Sequence, residues 1–311
     1  MARKSTMSKI QPAVKTLSFT LNPAAGQYQY IDLSQCASIV NRRAYRAGLN
    51  WAVGGFTVIG GGVGSGFITV NRLPETWVLS NSWEKAFRAW QRQQNEVLQD
   101  GQESVKARFN DFKVFMDQAH FDATAANNLR PLGTAGIPYP LGEWEYSQVV
   151  IPNAGAPGVN WEPYLQMLGG QPPAGTPPSI GLVQAYANSR SVPQSPDPAV
   201  PAGVTTGSEN IYRDMFDVGD NNDDLLDNVV GKNDNLPYNQ TNYPGEVGDQ
   251  AEFVASIRLA NTQSQTQVSG GAFPCGLIQL DTAALEGTVR FIVHLVPGDH
   301  RGYLAQSMVE M

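Results

Sequence analysis

The sequence predicts an all-β protein: a single antiparallel jelly-roll sandwich with long inserted loops and one principal helix over about 81–98. Three observations carry that expectation. Short segments alternate apolar and polar residues, most cleanly at 16–21, where Leu17, Phe19 and Leu21 share one face. Glycine (31 residues) and proline (21) are plentiful enough that turns and long connections must be plentiful too. Neither an internal repeat nor the strand–helix–strand rhythm of a parallel sheet is present.

Residues 16–21 are therefore the first expected strand, and Tyr28 to Leu33 the second. Leu49 to Ile59 follows, with a bulge expected at Gly54-Gly55. The glycine run 60–66 reads as a turn, with Phe67 to Leu73 returning as the partner strand of a hairpin. Asn81, with Glu84 three residues on, has the pattern of a capping box at a helix start. Trp83, Phe87 and Trp90 then recur at helical spacing, an apolar stripe suited to packing on a sheet. Further strands are expected at Lys113–Met116, Trp144–Ile151, Tyr164–Leu168, Phe253–Leu259, Leu277–Leu280 and Thr288–Val296, and a short helix at 181–188. This gives a short basic arm over 1–15, a jelly-roll domain over 16–298 with long loops near 118–142 and 170–250, and a C-terminal tail over 299–311.

Composition narrows the function classes. Charged residues are only 16% of the 311, against about 25% in an ordinary soluble domain. A large, loop-rich chain with so few charges is expected to cover much of its surface with partners. Cys36 and Cys275 are too few and too far apart for a disulfide framework or a zinc site, so both read as small buried hydrophobes. No run approaches the ~18 apolar residues of a membrane span, and no apolar stretch follows the basic start as in a secretory signal. The chain is expected to be soluble and made inside a cell. Net charge is −7 but uneven: up to Arg46 seven basic residues face the single acid Asp32, whereas the remainder carries 14 basic and 27 acidic residues. Such polarity suits a subunit with one side toward a polyanion.

Motifs for catalysis are scarce. The run Gly60-Gly61-Gly62-Val63-Gly64-Ser65-Gly66 lacks the Gly-Lys-Ser/Thr ending of a phosphate loop and leads into a strand. The Gly-x-Ser-x-Gly elbow of hydrolases is missing, and His120, His294 and His300 are too scattered for a zinc motif. Glu143 and Glu145 could imitate a glycosidase pair, but alternating acids are also what a solvated strand face offers. No catalytic residue is assigned. Asp217, Asp220 and Asp224, with Asn222, Asp223 and Asp227, could supply oxygens to calcium, although Leu225 stands where an EF-hand needs glycine. Arg3, Lys4, Lys9, Lys15, Arg42, Arg43 and Arg46 are the candidate nucleic-acid contacts, with Tyr45 and Trp51 near enough in sequence to stack on bases.

Several segments carry a family resemblance. Ile31-Asp32-Leu33-Ser34, Val40-Asn41-Arg42-Arg43, Leu49-Asn50-Trp51, Trp83-Glu84-Lys85-Ala86-Phe87, Arg108-Phe109-Asn110-Asp111-Phe112-Lys113 and Phe216-Asp217-Val218-Gly219-Asp220-Asn221-Asn222 resemble capsid proteins of small circular single-stranded DNA viruses. The resemblance runs from about residue 28 to 245 and implies a jelly-roll coat protein. It further implies icosahedral self-assembly from identical subunits, an inward-facing N-terminal segment, a single-stranded DNA genome as partner, and a virion assembled in the host cell. The arm here is shorter and less basic than the arginine-rich arms of better-known members, which shifts the expected genome contacts toward the Arg42 cluster or divalent cations. The alternative expectation is a carbohydrate-binding, lectin-like sandwich module; a sandwich glycosidase using Glu143 or Glu145 is the third.

Overall fold

The computed structural model describes residues 12–23, 27–60, 66–99, 111–123, 128–152, 158–170, 179–191, 222–231, 251–259 and 265–311. Two antiparallel sheets face one another. The first orders its strands β1 (Thr16–Leu21), β12 (Val289–Leu295), β3 (Leu49–Gly60) and β10 (Gln265–Phe273). The second runs β2 (Tyr28–Asp32), β11 (Leu277–Asp281), β4 (Gly66–Arg72) and β9 (Glu252–Leu259). The eight strands pair first with last: β1 with β12, β2 with β11, β3 with β10 and β4 with β9. Pairing of β12 with β3 and of β11 with β4 then joins these pairs into sheets.

Alternation builds the core between the sheets. Leu17, Phe19 and Leu21 of β1 point inward and are buried, while Thr16 and Thr20 face out. Across the sheet Phe56 stacks on Phe291 at 5.4 Å and meets the edge of Phe273 at 5.7 Å. Each such ring contributes roughly 1.5–3 kcal/mol by leaving water. At β2 and β11 of the second sheet both faces are covered: Ile31 and Ile278 enter this core, whereas their neighbours Tyr30 and Leu277 enter another on the opposite side. That second core is closed by α2 (Trp77–Gln99) and by apolar residues of 112–183, among them Phe112, Met116, Leu165, Met167 and Val183.

Strands β1, β3, β9 and β11 end at one end of the sandwich, where short connections lead to their successors. There Thr282 N–H donates to the Gln27 carbonyl at 2.8 Å. Gly66, at φ +114°, lies so close to the Ala284 carbonyl that an added Cβ would fall 1.9 Å from its oxygen. The opposite end gathers residues 12–15, helix α1 (Leu33–Asn41), the points where the excursion over 73–251 leaves and rejoins the sheet, and the C-terminal stretch. Arg72 and Glu252 close the base of that excursion, opposite one another in the β4–β9 ladder and joined by a 3.0 Å ion pair.

Several expectations change in detail. The expected hairpin is replaced by a crossing between layers, since β3 and β4 lie in different sheets. The Gly54-Gly55 bulge forms: β3 and β12 shift register at His294/Leu295 and leave Gly54 without an opposite residue. The principal helix begins at Trp77, not Asn81, because Val78 and Leu79 are buried and extend the apolar face. Thr76 Oγ1 accepts from Leu79 N–H at the start, while Asn81 donates to the Trp77 carbonyl and caps nothing. It is also accompanied by α1 (Leu33–Asn41), α3 (Gln118–Ala123), α4 (Leu182–Ser191) and α5 (Asn222–Gly231).

The strands expected at Lys113–Met116 and Trp144–Ile151 reduce to bridges of Phe115 with Gln166 and Gln148 with Tyr164, plus the two-residue pair β5 (Ile151–Pro152) and β6 (Asn160–Trp161). Tyr164–Gln166 (β7) pairs in parallel with Ser179–Gly181 (β8). Residues 299–311 are not a loose tail: Ala305–Ser307 (β13) continues along the edge of β3 beyond β12, with Tyr303 and Met308 fully buried. Cys36 and Cys275 are both free and buried. The glycine turn at 61–65 lies outside the described residues.

Truncating Phe291 at the centre of the first core should cost about 3–5 kcal/mol. Urea denaturation of Phe291→Ala should show that loss as a lower midpoint with the slope unchanged.

Candidate functional site

Lys15, Arg42, Arg43 and Arg46 meet at the elaborate end of the sandwich, and all four are exposed. The N-terminal segment is tied there by backbone bonds. Val14 N–H donates to Asn41 Oδ1 at 3.0 Å, and the Tyr303 hydroxyl donates to the Val14 carbonyl at 2.5 Å. Arg43 reaches the Pro12 carbonyl at 3.4 Å. Arg42 ends α1 in the left-handed region, at φ 53°. A fifth cation, Arg301, joins this surface from the turn after β12, where it donates to the Ala44 carbonyl and its own carbonyl accepts from the Tyr45 hydroxyl at 3.1 Å. The sequence reading missed Arg301, which is 255 or more positions from the others; only the return of the last segment beside α1 brings it in. Exposed Asp299 shares its turn. Arg3, Lys4 and Lys9 lie outside the described residues.

Tyr45 and Trp51 cannot stack on bases here. Both are fully buried, packed at 5.4 and 5.3 Å against Tyr303 beneath the basic surface. Alternation turns Trp51 inward on β3, and its indole N–H is satisfied by Ser34 Oγ at 3.2 Å. The aromatic trio is a foundation for the cations, not a platform for nucleobases.

A second polar assembly lies between the second sheet and the layer that covers it. Tyr30 donates to Asp117 Oδ1 at 2.8 Å, and Gln279 donates to Asp117 Oδ2 at 2.6 Å. The His120 ring stacks on Tyr30 at 4.2 Å. Its Nδ1 accepts the Met116 N–H at 3.1 Å, which leaves Nε2–H to donate to Asn128 Oδ1 at 2.8 Å. Asn128 in turn donates to Gln35 Oε1 and to the Tyr146 hydroxyl, which reaches Asp32 Oδ2 at 3.4 Å. Asp32 also caps α1 through Ser34 and Gln35 N–H. Burial holds the His120 pKa down to about 4, the bond to Asn128 offsetting part of that. Burial pushes the Asp32 carboxyl up to about 7 despite its two backbone donors. The bonds of Tyr30 and Gln279 in the sheet to Asp117 in the covering layer fasten the one to the other.

The remaining candidates are dispersed. His294 sits beside Thr57 Oγ1 at 2.8 Å on the outer face of the first sheet, and His300 is half-buried near Arg301, both factors lowering its pKa. Glu143 and Glu145 are exposed. Of the proposed calcium ligands, Asp217 and Asp220 lie outside the described residues, and Asp224 is exposed on α5, where a loop was expected. Among the described residues no three His, Cys, Asp or Glu side chains are placed to hold a metal ion, and no helix is long and apolar enough to cross a membrane. No protein-family model, no curated protein and no solved structure matches the chain. Function is therefore to be read from its own topology and surfaces.

The two buried titrating groups oppose each other. Unfolded His120 takes up a proton near 6.5, but the folded ring does so only near 4, so acidification through that interval removes stability. Folded Asp32 is protonated near 7 and the unfolded carboxyl near 3.8, so the same acidification adds stability. Over its whole interval the His120 effect is worth about 3 kcal/mol and the Asp32 effect about 4 kcal/mol. Asp32→Asn should make thermal stability fall more steeply than in the wild type between pH 7 and about 4, and His120→Gln should make it fall less; melting curves across that range check both.

Proposed function

We propose that this chain is a viral coat protein, a single jelly-roll subunit that self-assembles into an icosahedral shell around a nucleic-acid genome. The observation that carries this reading is the first-with-last strand nesting, with sheet orders β1-β12-β3-β10 and β2-β11-β4-β9. Eight strands nested in this way and split between two sheets are the pattern of jelly rolls, a fold that recurs in viral capsids and lectins.

The fold alone does not choose between those uses, and the surfaces favour the shell. Phe67, Val97, Ile137, Val159, Phe253 and Leu304 are each at least 48% exposed, apolar side chains that neighbouring copies would cover. Strands β1, β10, β2 and β9 stand at the sheet edges, where Leu132 N–H already bonds the Ser18 carbonyl of β1 and Leu129 N–H the Tyr30 carbonyl of β2, which leaves β9 and β10 as the edges a neighbour would meet. The low charge content fits a subunit whose flanks are covered by copies of itself.

The basic end gives the genome side. Lys15, Arg42, Arg43, Arg46 and Arg301 would neutralise phosphates through charge, without base readout, since the nearby aromatics are buried. The sequence resemblance to capsids of small circular single-stranded DNA viruses makes single-stranded DNA the expected cargo.

Expressed as the full chain, the protein should elute as megadalton particles that negative-stain microscopy shows to be closed shells. A species of 33.7 kDa or a small multiple under every salt and pH condition would overturn the reading and point to a lectin-like module. Replacing Arg42, Arg43 and Arg46 together with Ala should lower the ultraviolet absorbance ratio of purified particles. It should also flatten the salt dependence of single-strand binding by ~0.7 in the log–log slope for each phosphate that is no longer neutralised. An unchanged ratio and slope would remove these residues from the genome interface.

A further inference from the structure

The layer covering the second sheet carries two features side by side. One is an apolar groove of about 310 Å³ between α2 and α4, walled by Ala86, Ala89, Trp90, Leu182 and Ala185. Among the residues lining it Lys85 is the one charged side chain. Its ammonium is held at the rim by Ser189 Oγ at 2.6 Å and lies over the Tyr186 ring at 5.7 Å. The other feature is α5, which lies against α4. Leu225 and Val229 stand one turn apart on α5 and are 50% and 48% exposed, so this chain's own groove does not receive them.

The two features are complementary. A groove between helices accepts an amphipathic helix through apolar anchors at i and i+4. At about 100° per residue Asp224 lies about 100° to one side of Leu225 and Asp223 about 120° to the other side of Val229, so the two carboxylates border the Leu225–Val229 stripe, while Asp227 falls on the opposite face. The α5 segment Asn222–Gly231 contains three acids and no base, against a groove whose sole charge is positive. Because α4 joins groove and helix on one face, two copies can exchange α5 reciprocally, as a self-complementary two-fold contact requires.

We propose that α5 of one subunit docks in the α2–α4 groove of a second copy of this chain, with Leu225 and Val229 inserted between the helices and Asp224 meeting Lys85 at the rim. This inference rests on the shell-subunit reading and identifies one of its contacts. Both charges are exposed in the single chain, so exchanging them leaves the subunit's own packing intact.

The test is a charge swap followed by sedimentation velocity. Lys85→Glu and Asp224→Lys should each raise the concentration needed for association by roughly tenfold or more, since both place like charges face to face. Mixing the two variants in equal amounts should restore association to near the wild-type concentration, because each mixed contact again pairs opposite charges. Leu225→Glu with Val229→Glu should abolish association of that variant with itself, and mixing it with Lys85→Glu should restore only one of the two reciprocal contacts, so that mixture should associate more weakly than the mixed charge swap. Wild-type particles accompanied by unaltered association of the variants would overturn this contact and leave the shell reading standing. Failure of mixing to restore what the single swaps destroy would overturn it equally. A wild type that never associates would remove the shell reading and this contact with it.

Discussion

Two strands with no face left for water, β2 and β11, are the constraint on which the structure depends. In β2 and β11 successive residues turn to opposite sides, and both sides are apolar: Ile31 and Ile278 one way, Tyr30 and Leu277 the other. An antiparallel sheet can leave one face solvated, and the first sheet does, with Thr16, Thr20, Gln267, Ser269 and Arg290 outward. The second cannot along β2 and β11. It needs a lid there, which the long excursion between β4 and β9 supplies. The hydrogen bonds of Asp117 with Tyr30 and Gln279, the stacking of His120 on Tyr30, and the bonds that run from His120 through Asn128 and Tyr146 to Asp32 then set where that lid sits. Dispersion and area favour covering the sheet in many ways; directional bonds between buried groups leave few.

The same logic explains how the basic end is held. Chain termini are ordinarily the loosest parts of a domain. Here Tyr303 enters the core beside Tyr45 and Trp51, and its hydroxyl binds both Asn41 and the backbone at Val14. One buried phenol thus fixes the segment that precedes β1, the end of α1 and the turn that carries Arg301. The charges spread over three distant parts of the sequence become one surface because an aromatic cluster below them is apolar enough to gather all three.

Where the sequence was legible, the reason was periodicity enforced by burial on one side. Residues 16–21, 253–259 and 289–295 alternate because one face sees the core, and their strands were anticipated within a residue or two. β10 was missed because its Gln-Thr-Gln-Val-Ser-Gly-Gly sequence is mostly polar, and its glycines are needed for close approach: a Cβ at Gly270 would fall 2.1 Å from the Val53 carbonyl. Pairing with β3, not propensity, makes it a strand. The helix α1 hid behind an apparent continuation of β2, since Leu33 extends the apolar pattern while Asp32 caps the helix. The Arg42 cluster was visible in sequence as charge. Its fifth member and the burial of Tyr45 and Trp51 were not, because both depend on the last residues folding back along β3. The polar assembly was equally hidden: Asp32, His120, Asn128 and Gln279 have no common spacing and meet only through the sheet.

The ion pair of Arg72 with Glu252 has a consequence for how such a chain can change. Everything from 73 to 251 departs and returns at adjacent rungs of one ladder, so the framework senses the excursion mainly as two neighbouring attachment points. Lengthening a closed segment costs little, about 0.6 kcal/mol for each doubling. Descendants of this chain could therefore lengthen or rewrite what they display there while the eight-strand scaffold keeps its threading, provided that the stretch lying on Tyr30 and Leu277 still shields them.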